Sequence, residues 1–187
     1  MMDFIPQFFP GLGAIANIHP LMVHFPIALL CTFFVLELLA IFSRKNENLE
    51  IASVWLLYLG TLGAFAAVAA GLWAEATVPH ADELHAVIEK HEKFGFAVLS
   101  IAIVLSVWRL TNSGYFSRPG RIVFRLLAFV MVLTMVLGAD LGGLLVYRYG
   151  VATWTGETQA GRQHHDVAGM HGHDAENAFM EAGHRHD

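Results

Sequence analysis

The sequence predicts an all-α polytopic membrane protein, an antiparallel bundle of four transmembrane helices. Its 187 residues are 56% hydrophobic and only 14% charged, with a mean hydropathy of +0.53. A soluble domain of this size cannot bury so much apolar surface. Four apolar runs each approach or exceed the roughly 20 helical residues needed to cross a bilayer. Short polar turns such as "SRKNENLE" and "TNSGYFSRPG" join them, which favours antiparallel neighbours.

The four predicted spans define the middle of three regions. They run over Leu21–Phe42, Ile51–Ala76, Phe94–Leu110 and Ile122–Tyr147, within a domain covering residues 19–153. The third span is short, but the preceding "ELHAVIEKHEK" is amphipathic and can extend its helix outward. Residues 1–18 are apolar with two prolines, and we expect them to lie along the membrane interface. Residues 154–187 form a polar tail that we expect to be disordered.

The basic residues near the spans predict the orientation of the chain. Three of them, Lys90, Lys93 and Arg148, flank one side of the predicted bundle. Six cluster at the turns joining spans 1–2 and 3–4, namely Arg44, Lys45, Arg109, Arg118, Arg121 and Arg125. Because basic turns stay in the cytoplasm, both termini should face the exterior, which is the periplasm for a bacterial inner membrane.

Several classes of function are excluded by composition and motif. The formal charge of -5 argues against a nucleic-acid partner. The single cysteine, Cys31, excludes an intramolecular disulfide and a cysteine-rich zinc site, and no C-x-x-C-H motif exists for covalent haem. The chain has no P-loop, no glycine-rich nucleotide fingerprint and no nucleophile constellation. We therefore expect no stand-alone catalysis, and at most a redox subunit that transfers electrons.

Small residues and one acidic side chain predict how the helices pack. Glu37, an ionisable residue inside span 1, is expected to pair with Arg44 near the cytoplasmic surface or with Arg109 on span 3. Span 2 carries a small-xxx-small stripe that lets another helix approach closely, formed by Gly63, Ala67 and Gly71.

Asp140 is the second ionisable residue inside a span. It could orient a ligand histidine through the free ring N–H, or hydrogen-bond to a neighbouring helix. Three glycines nearby clear space for a helix or a flat ligand, namely Gly138, Gly142 and Gly143.

Histidines are concentrated on the predicted outer side. All eleven fall there: His19, His24, His80, His85, His91, His164, His165, His171, His173, His184 and His186. His24 lies about one turn below the surface, where Pro26 removes a helical hydrogen bond. His19 precedes Pro20 at the helix start. His19 and His24 are about 140° apart around a helix, so they are not expected to hold one ion together.

A ligand pair across the bundle is therefore the central hypothesis. His91 enters the membrane at about the depth of His24, and the two could be axial ligands of haem b. With Glu92 or Asp140 they could instead form a site for a divalent transition metal. His19 and His85 are reserve ligands. His80 would share a face with His91 if the loop is helical.

The tail adds a second set of candidate metal ligands. Paired histidines with a nearby methionine suit Cu, Ni or Zn ions, and the set comprises His164, His165, His171, His173, His184, His186 and Met170. The alternative is a solvated polar tail that binds metal only adventitiously.

The motifs "HPLMVHFPIALL" and "GGLLVYRYGV" resemble those of a bacterial membrane-protein family known as domain of unknown function (DUF) 2231. The resemblance covers about residues 17–153 and includes His91 and Glu37. It implies four transmembrane helices and a link to redox proteins, which favours haem b and a partner such as a periplasmic cytochrome or another subunit of a membrane complex. A sensor, buffer or transporter of Cu, Zn or Ni is the first alternative, and a structural or assembly subunit is the second.

Overall fold

A computed structural model of the protein describes residues 18–42, 47–77, 82–112 and 117–151, and all structural statements concern these residues. They form four helices, α1 (His19–Phe42), α2 (Glu47–Thr77), α3 (Asp82–Asn112) and α4 (Arg118–Tyr147). Each is long and apolar enough to cross a membrane. The predicted fold class is confirmed. The third helix begins at Asp82, so the amphipathic segment does extend it outward.

The helices form a closed ring in chain order. Contacts are most extensive within the pairs α1–α2 and α3–α4, which we call the first and second hairpins, and least extensive between α1 and α4. His19 and His91 lie at one end of the bundle, named here the histidine end. The helix ends at Phe42, Glu47, Asn112 and Arg118 lie at the other, named the arginine end. The predicted segments 1–18 and 154–187 fall almost entirely outside the described residues.

Local sequence explains where the helices begin and bend. At the start of α4 the Ser117 hydroxyl accepts a hydrogen bond from the Gly120 N–H at 3.3 Å, and Pro119 occupies the first turn. At its end Gly150 takes a positive φ of 66°, which glycine adopts without strain. Pro26 lies inside α1, and the helix continues through it to Phe42.

The core is a column of apolar side chains between the two hairpins. Phe33 of α1 and Phe124 of α4 are each 1% exposed and meet edge to face, with ring centroids 6.1 Å apart. Around them lie the fully buried Leu30, Leu57, Ala102, Leu105, Ala128 and Met131. Large apolar side chains also cover the outside of the bundle, as expected where lipid is the solvent.

The two hairpins repeat one design. In the first helix of each hairpin, the residues 7, 11, 14 and 18 positions after the histidine are buried. In α1, after His19, these are Pro26, Leu30, Phe33 and Glu37. In α3, after His91, they are Val98, Ala102, Leu105 and Arg109. In the second helix of each hairpin, the residues 4, 7, 11, 14 and 18 positions before one glycine are buried. The glycine is Gly71 in α2 and Gly142 in α4. The buried residues are Ala67, Ala64, Gly60, Leu57 and Ser53 in α2 and Gly138, Met135, Met131, Ala128 and Phe124 in α4.

This spacing is the ordinary helical stripe. What the two hairpins share beyond this stripe is the position of two residues relative to it. Each hairpin has a histidine in its first helix and a glycine in its second helix at the same number of residues from the buried positions. The two hairpins therefore place their histidines at equivalent positions in the pattern of buried residues.

Candidate histidine site

His19 begins α1 and reaches across to α2 of the same hairpin. Its ring Nδ1 lies 2.9 Å from the Ala67 carbonyl oxygen. A Cβ built on Gly71, one turn further along α2, would lie 3.0 Å from Cε1 and 3.1 Å from Nδ1 of this ring. Gly71 therefore provides the space in which the imidazole lies. The stripe predicted in α2 faces α1, since a Cβ on Gly63 would lie 2.7 Å from Cδ1 of Phe25.

His91 makes the equivalent contacts in the second hairpin. Its Nδ1 lies 2.9 Å from the Gly138 carbonyl oxygen of α4. A Cβ on Gly142, again one turn further along, would lie 3.1 Å from Cε1 of the His91 ring. The small-residue pair Gly138 and Gly142 in α4 thus corresponds to Ala67 and Gly71 in α2.

The two imidazoles meet where the hairpins face each other. Their ring centroids are 6.0 Å apart and their planes are nearly perpendicular, at 89°. Both rings are partly buried. Because a carbonyl oxygen can only accept, each Nδ1 carries the proton and donates the hydrogen bond. In each ring the lone pair is therefore on Nε2.

His24, expected to be the partner of His91, is placed differently. It is exposed, and its Nδ1 lies 2.6 Å from the Pro20 carbonyl of its own helix. His19 and not His24 lies against His91, which corrects the expected pairing. The physical reason is helical phase, because His24 is about 140° around α1 from His19, away from the buried stripe.

The other predicted ligands are spread out. His85 is exposed on α3, whereas His80 and all of the tail ligands lie outside the described residues. In the described parts of the chain, no group of three or more His, Cys, Asp or Glu side chains is arranged to hold a metal ion. The tail's metal binding stays a prediction.

Asp140 does not orient His91. It is exposed and makes no hydrogen bond or ion pair with the residues that the structure describes, and the Gly138 carbonyl takes that role. The expected space beside it is filled by α3, since Phe94 lies against Gly138 and His91 against Gly142. A Cβ on Gly143 would be in ordinary contact, 3.9 Å from Tyr147.

Glu37 lies at the arginine end, and of its two expected partners Arg44 is outside the described residues while Arg109 pairs with another carboxylate. Glu37 accepts a hydrogen bond from the Ser53 hydroxyl at 2.8 Å, and its Oε2 lies 3.5 Å from Nε of Arg125 on α4. Arg109 instead donates to Glu50 of α2 at 2.9 Å. Both ion pairs join one hairpin to the other, whereas the hydrogen bonds of the two site histidines stay within their hairpins.

The main features missed from sequence are the two carbonyls that orient the histidines. A signal existed, since His19 and His91 are followed by their partner glycines after 52 and 51 residues, each glycine four residues after a small residue. The offset between the equivalent residues is 72 for the histidines (19 to 91) and 71 for the glycines (71 to 142), so a search for internal repeats at that offset tests for this signal.

These features define a multi-pass membrane protein of two histidine-bearing helical hairpins. The chain belongs to the family described as predicted membrane protein (DUF2231), whose match covers residues 16–155. The family resemblance predicted from the end motifs is therefore confirmed. No curated protein and no solved structure matches the chain.

Proposed function

We propose that His19 and His91 would hold haem b at the histidine end, and that the haem would supply one-electron transfer. The single observation that carries the proposal is the imidazole pair, in which each ring is fixed through Nδ1 to a carbonyl of its own hairpin. The pair replaces the expected His24–His91 pair.

The hydrogen bonds prepare both rings for coordination. Histidines that bind metals usually donate the second ring N–H to a carbonyl or carboxylate, which fixes the tautomer and raises the basicity of the ligating nitrogen. Here Ala67 and Gly138 provide those carbonyls. Nε2 is then the coordinating atom in both rings.

The separation of the rings agrees with a shared centre. With metal–nitrogen bonds of about 2.0–2.1 Å, two imidazoles on one ion have centroids roughly 5 to 6.5 Å apart, depending on the angle at the metal. The observed 6.0 Å lies within that range, and it is also an ordinary edge-to-face packing distance, close to the 6.1 Å between Phe33 and Phe124. Because the rings belong to different hairpins, a ligand between them would contact both repeats equally.

The number of ligands favours haem over a bare ion. Structural zinc sites use four protein ligands and catalytic ones three. Among the described residues the histidine pair is not joined by a third candidate ligand. Haem needs only axial ligands from the protein, because the porphyrin supplies the remaining donors.

Haem held by two histidines supplies reversible one-electron transfer. The residues of this chain would hold it and tune it through the two Nδ1–carbonyl hydrogen bonds. The physiological partner would be another one-electron carrier, such as a periplasmic cytochrome or a further subunit of a membrane complex.

An absorbance spectrum of the detergent-purified full chain tests the proposal. We expect a Soret band that shifts on dithionite reduction, lost in both His19→Ala and His91→Ala. His24→Ala is the matched control, since it removes an exposed histidine of the same helix, and it should keep the spectrum. A wild-type protein that stays colourless after haem has been supplied would refute the proposal. If the Soret band is lost in His24→Ala and kept in His19→Ala, the ligands are His24 and His91 instead.

Asparagine variants separate ligation from packing. In His19→Asn and His91→Asn the amide nitrogen can take the place of Nδ1 and donate to the same carbonyl, but no atom replaces Nε2. We expect these variants to lose haem while keeping a melting temperature close to that of the haem-free wild type. If haem binding survives in both, the two histidines serve only to join helices.

A transition-metal function is the second candidate, favoured by the six histidines and Met170 of the tail. Metal analysis of the full chain and of a chain lacking residues 156–187 distinguishes it. If the bound metal is lost when the tail is removed but is kept when His19 and His91 are substituted, the tail captures or buffers Cu, Zn or Ni. If neither haem nor metal is bound, the structural or assembly reading is favoured.

A further inference from the structure

Three arginines lie together at the start of α4. Arg118, Arg121 and Arg125 follow one another at intervals of three and four residues, so they share one side of the helix. Together with Ile122 they line a cavity of about 400 Å³ at the arginine end. This cavity is at the opposite end of the bundle from the histidine site and takes no part in the proposed function.

The positive charge of this cavity is compensated at one of its three arginines only, among the described residues. Neither Arg118 nor Arg121 forms an ion pair within the described ranges. The buried Nε of Arg125 lies 3.5 Å from Glu37 and has no hydrogen-bond acceptor among them. The guanidinium groups of Arg118 and Arg121 are therefore available to an anion, while Arg125 is shared with Glu37.

An apolar track continues from the cavity along α4 towards the membrane centre. Its side chains lie at alternating intervals of four and three residues and are exposed, namely Ile122, Leu126, Phe129 and Leu133. In a bilayer, acyl chains cover such a surface. A ligand that fills the cavity and also follows this track must have an anionic head and an apolar tail.

We propose that this cavity binds the phosphate headgroup of an anionic phospholipid, with the acyl chains along the apolar track. Guanidinium groups bind phosphate oxygens through paired N–H donors, which makes arginine well suited to this headgroup. Basic pockets beside transmembrane helices are typical sites for anionic lipids. The site binds lipid from the leaflet at the arginine end of the bundle.

Native mass spectrometry of the full chain, titrated with phosphatidylglycerol or phosphatidylcholine of equal chain length, tests the proposal. We expect phosphatidylglycerol to be retained preferentially, and its affinity to fall about tenfold or more in the double variant Arg118→Gln with Arg121→Gln. The matched control, Lys90→Gln with Arg148→Gln, removes the same charge from the histidine end and should leave the affinity unchanged.

A second double variant keeps the experiment decisive if the first folds poorly. Arg118→Lys with Arg121→Lys preserves the charge but removes the planar donors, so it should give an intermediate affinity. Equal retention of both lipids, or equal losses in the variant and the control, would overturn the proposal. Displacement of the lipid by millimolar inorganic phosphate would also overturn it, because the ligand would then be a soluble anion.

Discussion

The substitutions Gly71→Ala and Gly142→Ala test whether the packing around His19 and His91 is needed for haem binding. Each adds one methyl group beside a site imidazole, 3.0 Å from Cε1 of His19 in one case and 3.1 Å from Cε1 of His91 in the other. Ordinary contacts of this kind begin near 3.4 Å. Each ring must therefore move by a few tenths of an ångström, which disturbs its hydrogen bond to the carbonyl.

The magnitude follows from what that movement breaks. Overpacking by one methyl group costs about 1–3 kcal/mol, and weakening the hydrogen bond at Nδ1 costs about 0.5–1.5 kcal/mol more. Replacing a helical glycine by alanine returns up to about 1 kcal/mol. Disturbing the group that orients a metal ligand typically lowers affinity 10–100-fold. We expect a loss of haem affinity in that range for both variants.

The assay is a haem titration followed at the Soret band, with the melting temperature measured in parallel. Gly95→Ala is the control, because it makes the same change inside α3 and its Cβ would lie 3.8 Å from the nearest atom, on Val68. It should bind haem like the wild type. The reasoning is refuted if Gly71→Ala and Gly142→Ala also bind like the wild type. A large effect in only one of them would refute the equivalence of the hairpins.

Three further predictions concern stability in detergent, measured as the free energy or midpoint of unfolding. Glu37→Gln should destabilise the bundle by about 2 kcal/mol, since it leaves Arg125 without its counter-charge. The double variant with Arg125→Gln should be less destabilised than the sum of the two single variants, and strict additivity would show that the pair is not coupled. Gly60→Ala should cost about 1–3 kcal/mol because its Cβ would lie 2.6 Å from a leucine of α1, whereas Gly143→Ala, with 3.9 Å of clearance, should be close to neutral. Phe33→Ala should cost about 3–5 kcal/mol because the ring is 1% exposed, and a loss below 1 kcal/mol would show that it does not pack as described.

The spans were predictable from sequence because bilayer thickness imposes a length that composition reveals directly. The pairing across the bundle was not. Depth placed His24 level with His91, but depth does not specify rotation about the helix axis. The rotation is fixed by which side of α1 is buried, and His19 is in phase with Leu30, Phe33 and Glu37 whereas His24 is not. That phase could be read only once the buried stripe was known.

Glu37 shows the same limit at the arginine end. Its sequence neighbourhood pointed to arginines near the ends of spans 1 and 3, yet its partner is Arg125 on α4. Which of several arginines faces a given carboxylate depends on the order of helices around the ring. Span prediction alone does not supply that order.

The two ends of the bundle differ in how equivalent residues of the two hairpins are bonded. Eighteen residues after each site histidine, the first hairpin carries Glu37 and the second carries Arg109. These opposite charges form ion pairs with the other hairpin and so join the two repeats. At the histidine end the equivalent residues are identical, and their hydrogen bonds stay within each hairpin. A ligand shared by both imidazoles would therefore supply there the connection that ion pairs supply at the arginine end. Since a ligand at about 100 times its Kd adds about 2.7 kcal/mol to the folded state, haem should raise the melting temperature of the wild type but not that of His91→Asn.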